Sequence, residues 1–166
     1  FEYAQRFADG MAVVGASAGD YMSFGYINKT GTVVIPIQYW QAGDFSGGLA
    51  QVVSQSDANS GSLSYIDRSG TVVWPSGSGA TSQLATTTSA VGQGDETSEL
   101  YPVKVDGKWG FIDNTGTVRI EPQFDDVRVP WLWSRPEVFS EGLTPAAIGH
   151  GNDARWGYID KTGAWV

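Results

Sequence analysis

The sequence contains no cysteine and a single histidine among its 166 residues. Without cysteine the chain forms neither disulfides nor thiolate metal sites, so its stability must come from packing. His150 alone leaves little room for a Ser-His-Asp triad or for a metal site that needs two histidines. We therefore predict no metal ion and no other cofactor.

Basic residues and long apolar runs are also scarce. The chain has 10 Lys and Arg against 18 Asp and Glu, a net charge of −8. This balance disfavours nucleic acid and anionic membrane surfaces as partners. The apolar runs fall well short of the roughly 18 residues that a membrane-spanning helix needs. We expect no nucleic-acid partner and no membrane insertion.

The sequence is rich in glycine and in internal repeats. Its 22 glycines accompany 41% hydrophobic residues, enough to build a core. Four segments share the pattern x-Gly/Ser-aromatic-Ile-Asn/Asp-x-Thr/Ser-Gly, with starts 39, 46 and 47 residues apart: 24–31, 63–70, 109–116 and 156–163. A second element, Phe-Ser-x-Gly-Leu, recurs between them. We therefore predict a single domain, 1–166, that consists of five parts: half unit 1–20, units 21–60, 61–106 and 107–153, and half unit 154–166.

Each unit has the features of a β-hairpin. An Asn or Asp at the first turn position can accept hydrogen bonds from backbone amides two residues on, and the glycine suits a left-handed conformation. The residues at the first turn position are Asn28, Asp67, Asp113 and Asp160. Short β-branched and aromatic runs flank the turns, and three of the four then reach a proline that ends the second strand. Helical periodicity is absent, so we predict an all-β fold of three- to four-stranded antiparallel meanders.

The two half units leave two architectures open. A chain that begins with a last strand and ends with first strands could complete one unit from both termini. This would give a small β-propeller of about four blades. The alternative is an open β-repeat array.

The motifs resemble the WG-repeat (KWG-repeat) family of bacterial proteins. The closest copies of its motif begin at Trp109-Gly110 and Trp156-Gly157, whereas Phe24 or Leu63 replaces the tryptophan in the first two units. The resemblance implies an all-β repeat architecture and an interaction scaffold without a defined reaction. It also implies a bacterial cell envelope, periplasmic or extracellular setting. Trp109, Gly110, Trp156 and Gly157 recur at equivalent positions, so we interpret them as structural residues.

Two insertions interrupt the repeats and are the candidate functional segments, because insertions map to loops. Residues 75–99 are rich in Ser, Thr and Gly, as in a surface loop, a glycan acceptor or a partner-induced strand. In 127–136, Trp131 and Trp133 would project to one side of an extended segment. With Arg128 and Arg135 they would form a stacking platform for a glycan or an anchor for a protein, unless they fold back onto the core.

Trp40 and Trp74 lie off the repeat consensus and are secondary binding candidates, with packing at a sheet edge as the alternative. The leading prediction is a non-catalytic repeat scaffold that binds a protein or glycan at a bacterial envelope or surface. A self-assembling subunit that associates through exposed strand edges is the second. A carboxylate-dependent glycoside hydrolase is the third, but turn positions already explain nearly every acidic residue.

Overall fold

The structure, a computed structural model, describes residues 1–56, 63–75, 99–127 and 138–166. Within these ranges the chain is built from β-strands, all paired antiparallel, with one 3₁₀ turn at Gly151–Asp153 and no α-helix. The predicted all-β class is therefore confirmed. In the same ranges, no helix has the length and apolar character that a membrane crossing requires.

The described residues form two compact units. The first comprises residues 1–56 and 63–75. It holds one seven-stranded sheet in which each strand pairs with the next along the chain. Its strands are β1 (Tyr3–Ala4), β2 (Met11–Ala18), β3 (Tyr21–Asn28), β4 (Val33–Ala42), β5 (Leu49–Ser54), β6 (Ser64–Asp67) and β7 (Val72–Trp74). The core beneath them includes Val13, Tyr26, Ile35, Phe45, Val52 and Ile66.

The second unit comprises residues 99–127 and 138–166 and contains two three-stranded sheets. The first sheet consists of β8 (Tyr101–Val105), β9 (Lys108–Ile112) and β10 (Val118–Phe124). The second consists of β11 (Asp126–Val127), β12 (Leu143–Ile148) and β13 (Arg155–Asp160). Side chains from both sheets share one core: Leu100, Phe111, Ile120, Phe124, Val127, Val138, Ala146 and Ile159.

The sequence repeats recur as repeats of strand register. β3 and β4 pair with two shifts, and β9 and β10 pair with the same two shifts at equivalent positions. Each set of shifts places one glycine, Gly25 or Gly110, opposite three residues of a bulge. The bulges contain Pro36 and Pro122, which lie inside β4 and β10, so the prediction that a proline ends the strand is wrong for these two. It is confirmed for Pro75, which directly follows the end of β7. A bulge accommodates proline because it interrupts the ladder that proline cannot join as a donor.

The four predicted turns are confirmed in detail. In each, the side-chain Oδ1 accepts bonds from the backbone amides two and four residues on and from the intervening Thr or Ser hydroxyl, at 2.6–3.1 Å. The turn glycines all have positive φ, between 81° and 85°. Local chemistry within five residues therefore fixes each hairpin, as the motif requires.

The three sheets are open, as an open β-repeat array requires. Among the described residues, β13 pairs with no strand other than β12, and β2 lies between β1 and β3. The propeller stays a prediction. The division between the two compact units falls inside the predicted repeat 61–106. Its strands β7 and β8 lie in different compact units.

Candidate binding surface

Within the part of the chain that the structure describes, an unusual surface lies on β13, in the half unit 154–166. Tyr158 occupies the position that Tyr26, Tyr65 and Phe111 occupy in the three preceding units, as the strand registers show. Those three rings are at most 1% exposed, whereas Tyr158 is 55% exposed. One repeat position is therefore part of the core three times and part of the surface once.

In two of the complete units, a phenylalanine from the element that follows the hairpin packs on this ring. The ring of Tyr26 packs edge-on against Phe45, with centroids 4.9 Å apart, and its hydroxyl donates to the Gly43 carbonyl at 2.8 Å. The ring of Phe111 packs in the same way against Phe139, at 5.1 Å. Burial is the main cause that raises the pKa of the Tyr26 hydroxyl well above its usual range. Both covering phenylalanines begin a Phe-Ser-x-Gly-Leu element.

Trp156 extends the exposed surface along the same strand. It lies two residues before Tyr158, so the two side chains project to one side of the extended strand. Trp156 is 47% exposed. We refer to Trp156 and Tyr158 together as the β13 aromatic face. Tryptophan and tyrosine combine large apolar area with a polar tip, which suits them to interfaces with protein or sugar.

The opposite side of β13 is covered in a way that differs from the complete units. At Gly25 and Gly110, the space where a side chain would start is filled by the backbone of the facing bulge. At Gly157 the same space is filled by the ring of Trp165, which also packs edge-on against Phe124. The Val166 amide donates to the Tyr158 carbonyl at 2.9 Å. In the last unit, the Trp165 side chain therefore covers the glycine that a strand backbone covers in the other two units.

A second surface feature is a shallow depression of about 430 Å³ in the first compact unit. In it, one Asp9 oxygen accepts bonds from the Gly48 amide at 2.8 Å and from the Arg68 guanidinium at 2.7 Å. Burial raises the pKa of Asp9, but these two donors outweigh it and the net pKa is lowered. The carboxylate thereby links three turns of the sheet, which is a structural role.

Asp125 has a comparable structural role in the second unit. Its carboxylate accepts a bond from the Lys108 ammonium at 2.6 Å and from the Gly149 amide at 2.9 Å, and it lies 3.1 Å from His150. The Lys108 contact is the main cause that lowers the pKa of Asp125. The described ranges hold no group of three or more His, Cys, Asp or Glu residues placed to bind a metal ion.

The sequence-predicted binding residues are distributed unevenly. Arg128, Trp131, Trp133 and Arg135 lie outside the described residues, as does nearly all of the 75–99 insertion, so the recognition loop stays a prediction. Trp40 is half-buried and packs edge-on against the exposed ring of Tyr21, at 5.3 Å. Trp74 is 1% exposed at the core position of Ile35 and Ile120, so it offers no ring to a ligand. This burial favours the packing alternative for Trp74.

The predicted structural residues also divide. Trp109 packs against the core, and the Lys104 ammonium lies 5.2 Å from its ring centroid. Gly110 is required by the bulge that faces it. Trp156, by contrast, is largely a surface residue. Sequence reasoning missed the exposure of Tyr158, because the motif gives it the same position as three buried rings.

The recurring registers and turns define an all-β repeat protein. The family model described as WG containing repeat matches residues 24–54 and 109–130. These two stretches agree with the resemblance of the sequence motifs to WG repeats. No curated protein and no solved structure matches the chain.

Proposed function

We propose that this protein is a non-catalytic repeat scaffold that binds a protein or glycan partner through the β13 aromatic face. The observation that carries the proposal is the exposure of Tyr158 at a position where the other three units bury an aromatic ring. An aromatic pair exposed on a strand is costly to leave in water and marks a place where a partner is received.

Two kinds of partner suit such a face. A protein partner could add an extended segment beside β13 and seat apolar side chains on Tyr158. A glycan could place the apolar side of a sugar ring on Trp156 or Tyr158, with Trp40 and Tyr21 as a second aromatic pair. The predicted loop with Trp131 and Trp133 would add to either mode.

The non-catalytic assignment is supported by what the carboxylates do. Asp67, Asp113 and Asp160 each commit one oxygen to three turn bonds, and hydrogen bonds lower the pKa of each despite the opposing effect of burial. Carboxylates held ionised inside turns suit architecture better than proton transfer. The bacterial envelope setting is an inference from the family resemblance, and fractionation of the producing cell tests it.

Variants of Tyr158 test the binding face. We expect Tyr158→Ser to lose binding to the protein or glycan that the wild type captures, measured on a glycan array and by photo-crosslinking from a reactive residue placed at position 154, on the same side of the chain. Val72→Ser is the matched control, because it removes an apolar side chain on another strand that is about as exposed as Tyr158, at 52% against 55%. Equal binding by wild type and Tyr158→Ser to every partner, or equal losses in the two variants, would contradict the proposal. Trp131→Ala with Trp133→Ala separately tests the predicted loop.

A further inference from the structure

We propose that Tyr21 and Trp40 form a binding site for a neutral oligosaccharide in the first compact unit. The site is separate from the β13 aromatic face, so the inference goes beyond the proposed function, which is built on Tyr158. It rests on two departures from the repeat that bring the two rings together. One is a replaced side chain in β4, and the other is a lengthened hairpin between β2 and β3.

Trp40 occupies a repeat position that holds an aspartate in unit 107–153. Tyr39 and Phe124 have equivalent positions in their ladders, and the residues that follow them are Trp40 and Asp125. Trp40 is the extra residue of a bulge, because β4 advances by two residues and β5 by one between consecutive ladder pairs. A bulge of this kind redirects the side chain that it carries.

The aspartate has a structural role that the first compact unit fulfils without it. Asp125 accepts hydrogen bonds from the Lys108 ammonium at 2.6 Å and from the Gly149 amide at 2.9 Å, which ties β9 to the segment after β12. Ser23 and Gln55 stand at the two donor positions in the first compact unit. There the Gln55 side-chain amide donates directly to the Ser23 hydroxyl, at 2.9 Å. The residue in the bulge is therefore not needed for this connection.

The hairpin between β2 and β3 is longer than its counterpart and carries the second ring. The ladder of β8 and β9 ends at the pair Val105–Lys108, with a two-residue turn between them. The ladder of β2 and β3 continues for two pairs beyond the equivalent position, and its last pair contains Tyr21. The Tyr21 ring packs edge-on against Trp40, with centroids 5.3 Å apart. Two unrelated departures from the repeat thus meet in one aromatic pair.

The aromatic pair is accessible to a ligand. Tyr21 is 61% exposed and Trp40 is half-buried. Their ring planes are inclined by 61°, so the rings do not stack face to face and hide each other. The apolar side of a sugar ring packs well on such an aromatic surface, and the Tyr hydroxyl and Trp N–H keep a polar tip for its hydroxyl groups.

The groups around the pair are polar and almost all neutral. Three segments contain the pair and its neighbours in the ladders: 15–23, 37–42 and 53–56. They contain no Lys or Arg, and Asp20 is their only charged residue. Gln38, on the same strand as Trp40, and Gln55, directly after β5, are both exposed. Side-chain amides donate and accept hydrogen bonds, as sugar hydroxyls do, whereas an acidic glycan would meet the Asp20 carboxylate and a chain of net charge −8.

Glycan binding by variants of the pair tests the inference. On an array of neutral and acidic oligosaccharides, the wild type should bind neutral members, and calorimetry with the strongest of them measures the Kd. Tyr21→Ser and Trp40→Ala should each weaken this binding roughly tenfold or more, as the loss of an aromatic anchor does. Trp40→Phe should stay within about threefold of the wild type, because it keeps a ring. Val72→Ser removes an exposed apolar side chain elsewhere and should bind like the wild type.

Trp40→Asp separates a binding role from a packing role. Asp125 shows that this position of the repeat accepts a carboxylate. The variant should therefore bind as weakly as Trp40→Ala and melt within about 4 °C of the wild type. A larger fall in the melting temperature would make Trp40 a packing residue of the lengthened hairpin and would overturn the inference.

Further results distinguish this site from the β13 aromatic face. A wild type that binds no neutral glycan, or one whose binding Tyr21→Ser and Trp40→Ala leave unchanged, would overturn the inference. Capture of a protein by the pair in place of a glycan would overturn the assigned ligand. Glycan binding that only Tyr158→Ser abolishes would overturn this site and support the proposed function. Binding that depends on Trp40 and survives Tyr158→Ser would support this site alone.

Discussion

The glycine of the Trp-Gly motif should resist substitution because a neighbouring backbone passes over it. A Cβ added at Gly110 would lie 2.5 Å from the Ile120 carbonyl oxygen and 2.7 Å from the Pro122 nitrogen. These atoms belong to the bulge in β10, whose two ends are held by ladder pairs to β9. The bulge therefore cannot retreat without breaking register. Gly110→Ala should destabilise the protein, and Gly25→Ala should do the same in the first unit.

The size of the effect follows from the contacts. Carbon atoms pack best at about 3.5–4.0 Å, so the bulge would have to move by the better part of 1 Å. Overpacking of this kind costs about 1–3 kcal/mol, and a backbone obstacle argues for the upper end. Gly110 has no positive φ, so alanine should bring no conformational strain. Alanine also has fewer backbone conformations than glycine in the unfolded chain, and this loss of entropy stabilises the folded protein by about 0.4–1 kcal/mol. We expect a net loss of roughly 2 kcal/mol.

Gly157 provides the matched control at the equivalent position. Its added Cβ would meet only the ring of Trp165 at 3.0 Å, and that half-exposed side chain can turn aside. Gly157→Ala should therefore change the free energy of unfolding by less than about 1 kcal/mol. Urea unfolding followed by tryptophan fluorescence measures both variants. Equal costs at Gly110 and Gly157, or a neutral Gly110→Ala, would refute the explanation from backbone approach.

Two further predictions concern single polar groups. Hydrogen bonds from Thr and Arg side chains and backbone amides lower the pKa of Asp113 more than burial raises it. The stability that this carboxylate contributes should thus be present above about pH 4 and be lost as the pH falls through the lowered pKa. Urea unfolding at a series of pH values from neutral to acidic measures this loss. With Asp113→Asn, the free energy of unfolding should fall less steeply as the pH decreases, and with Asn28→Asp it should fall more steeply. An unchanged profile in both would contradict this. Tyr26→Phe should lower the free energy of unfolding by about 1–3 kcal/mol, because it leaves the buried Gly43 carbonyl without its hydroxyl donor. Tyr158→Phe should leave the free energy of unfolding unchanged in the same assay. Equal effects of the two substitutions would refute this explanation.

What the sequence predicted correctly was determined by short-range chemistry. The turns at Asn28, Asp67, Asp113 and Asp160 were predictable because one side chain and the next four residues decide them. The placement of Pro36 inside β4 was not, since it depends on a bulge whose register is set by the partner strand. The recurring spacing identified the repeats without showing which strands share a sheet.

Burial of individual aromatic residues was the hardest property to predict. Trp74 appears irregular in the motif, yet the ladder places it opposite Tyr65 at the core position of Ile35. Trp156 matches the motif better than Phe24 does, yet its side chain is on the surface. The consensus residue at a repeat position reflects the contacts that this position makes in a complete repeat. The consensus does not show whether those contacts are present in a particular unit.

In two units, the Phe-Ser-x-Gly-Leu element that follows the hairpin covers the aromatic ring: Phe45 packs on Tyr26 and Phe139 packs on Phe111. The equivalent ring of Tyr65 is also buried, whereas that of Tyr158 is 55% exposed. Whether this repeat position belongs to the core or to the surface is therefore set by what packs on it, and the motif alone does not specify the outcome.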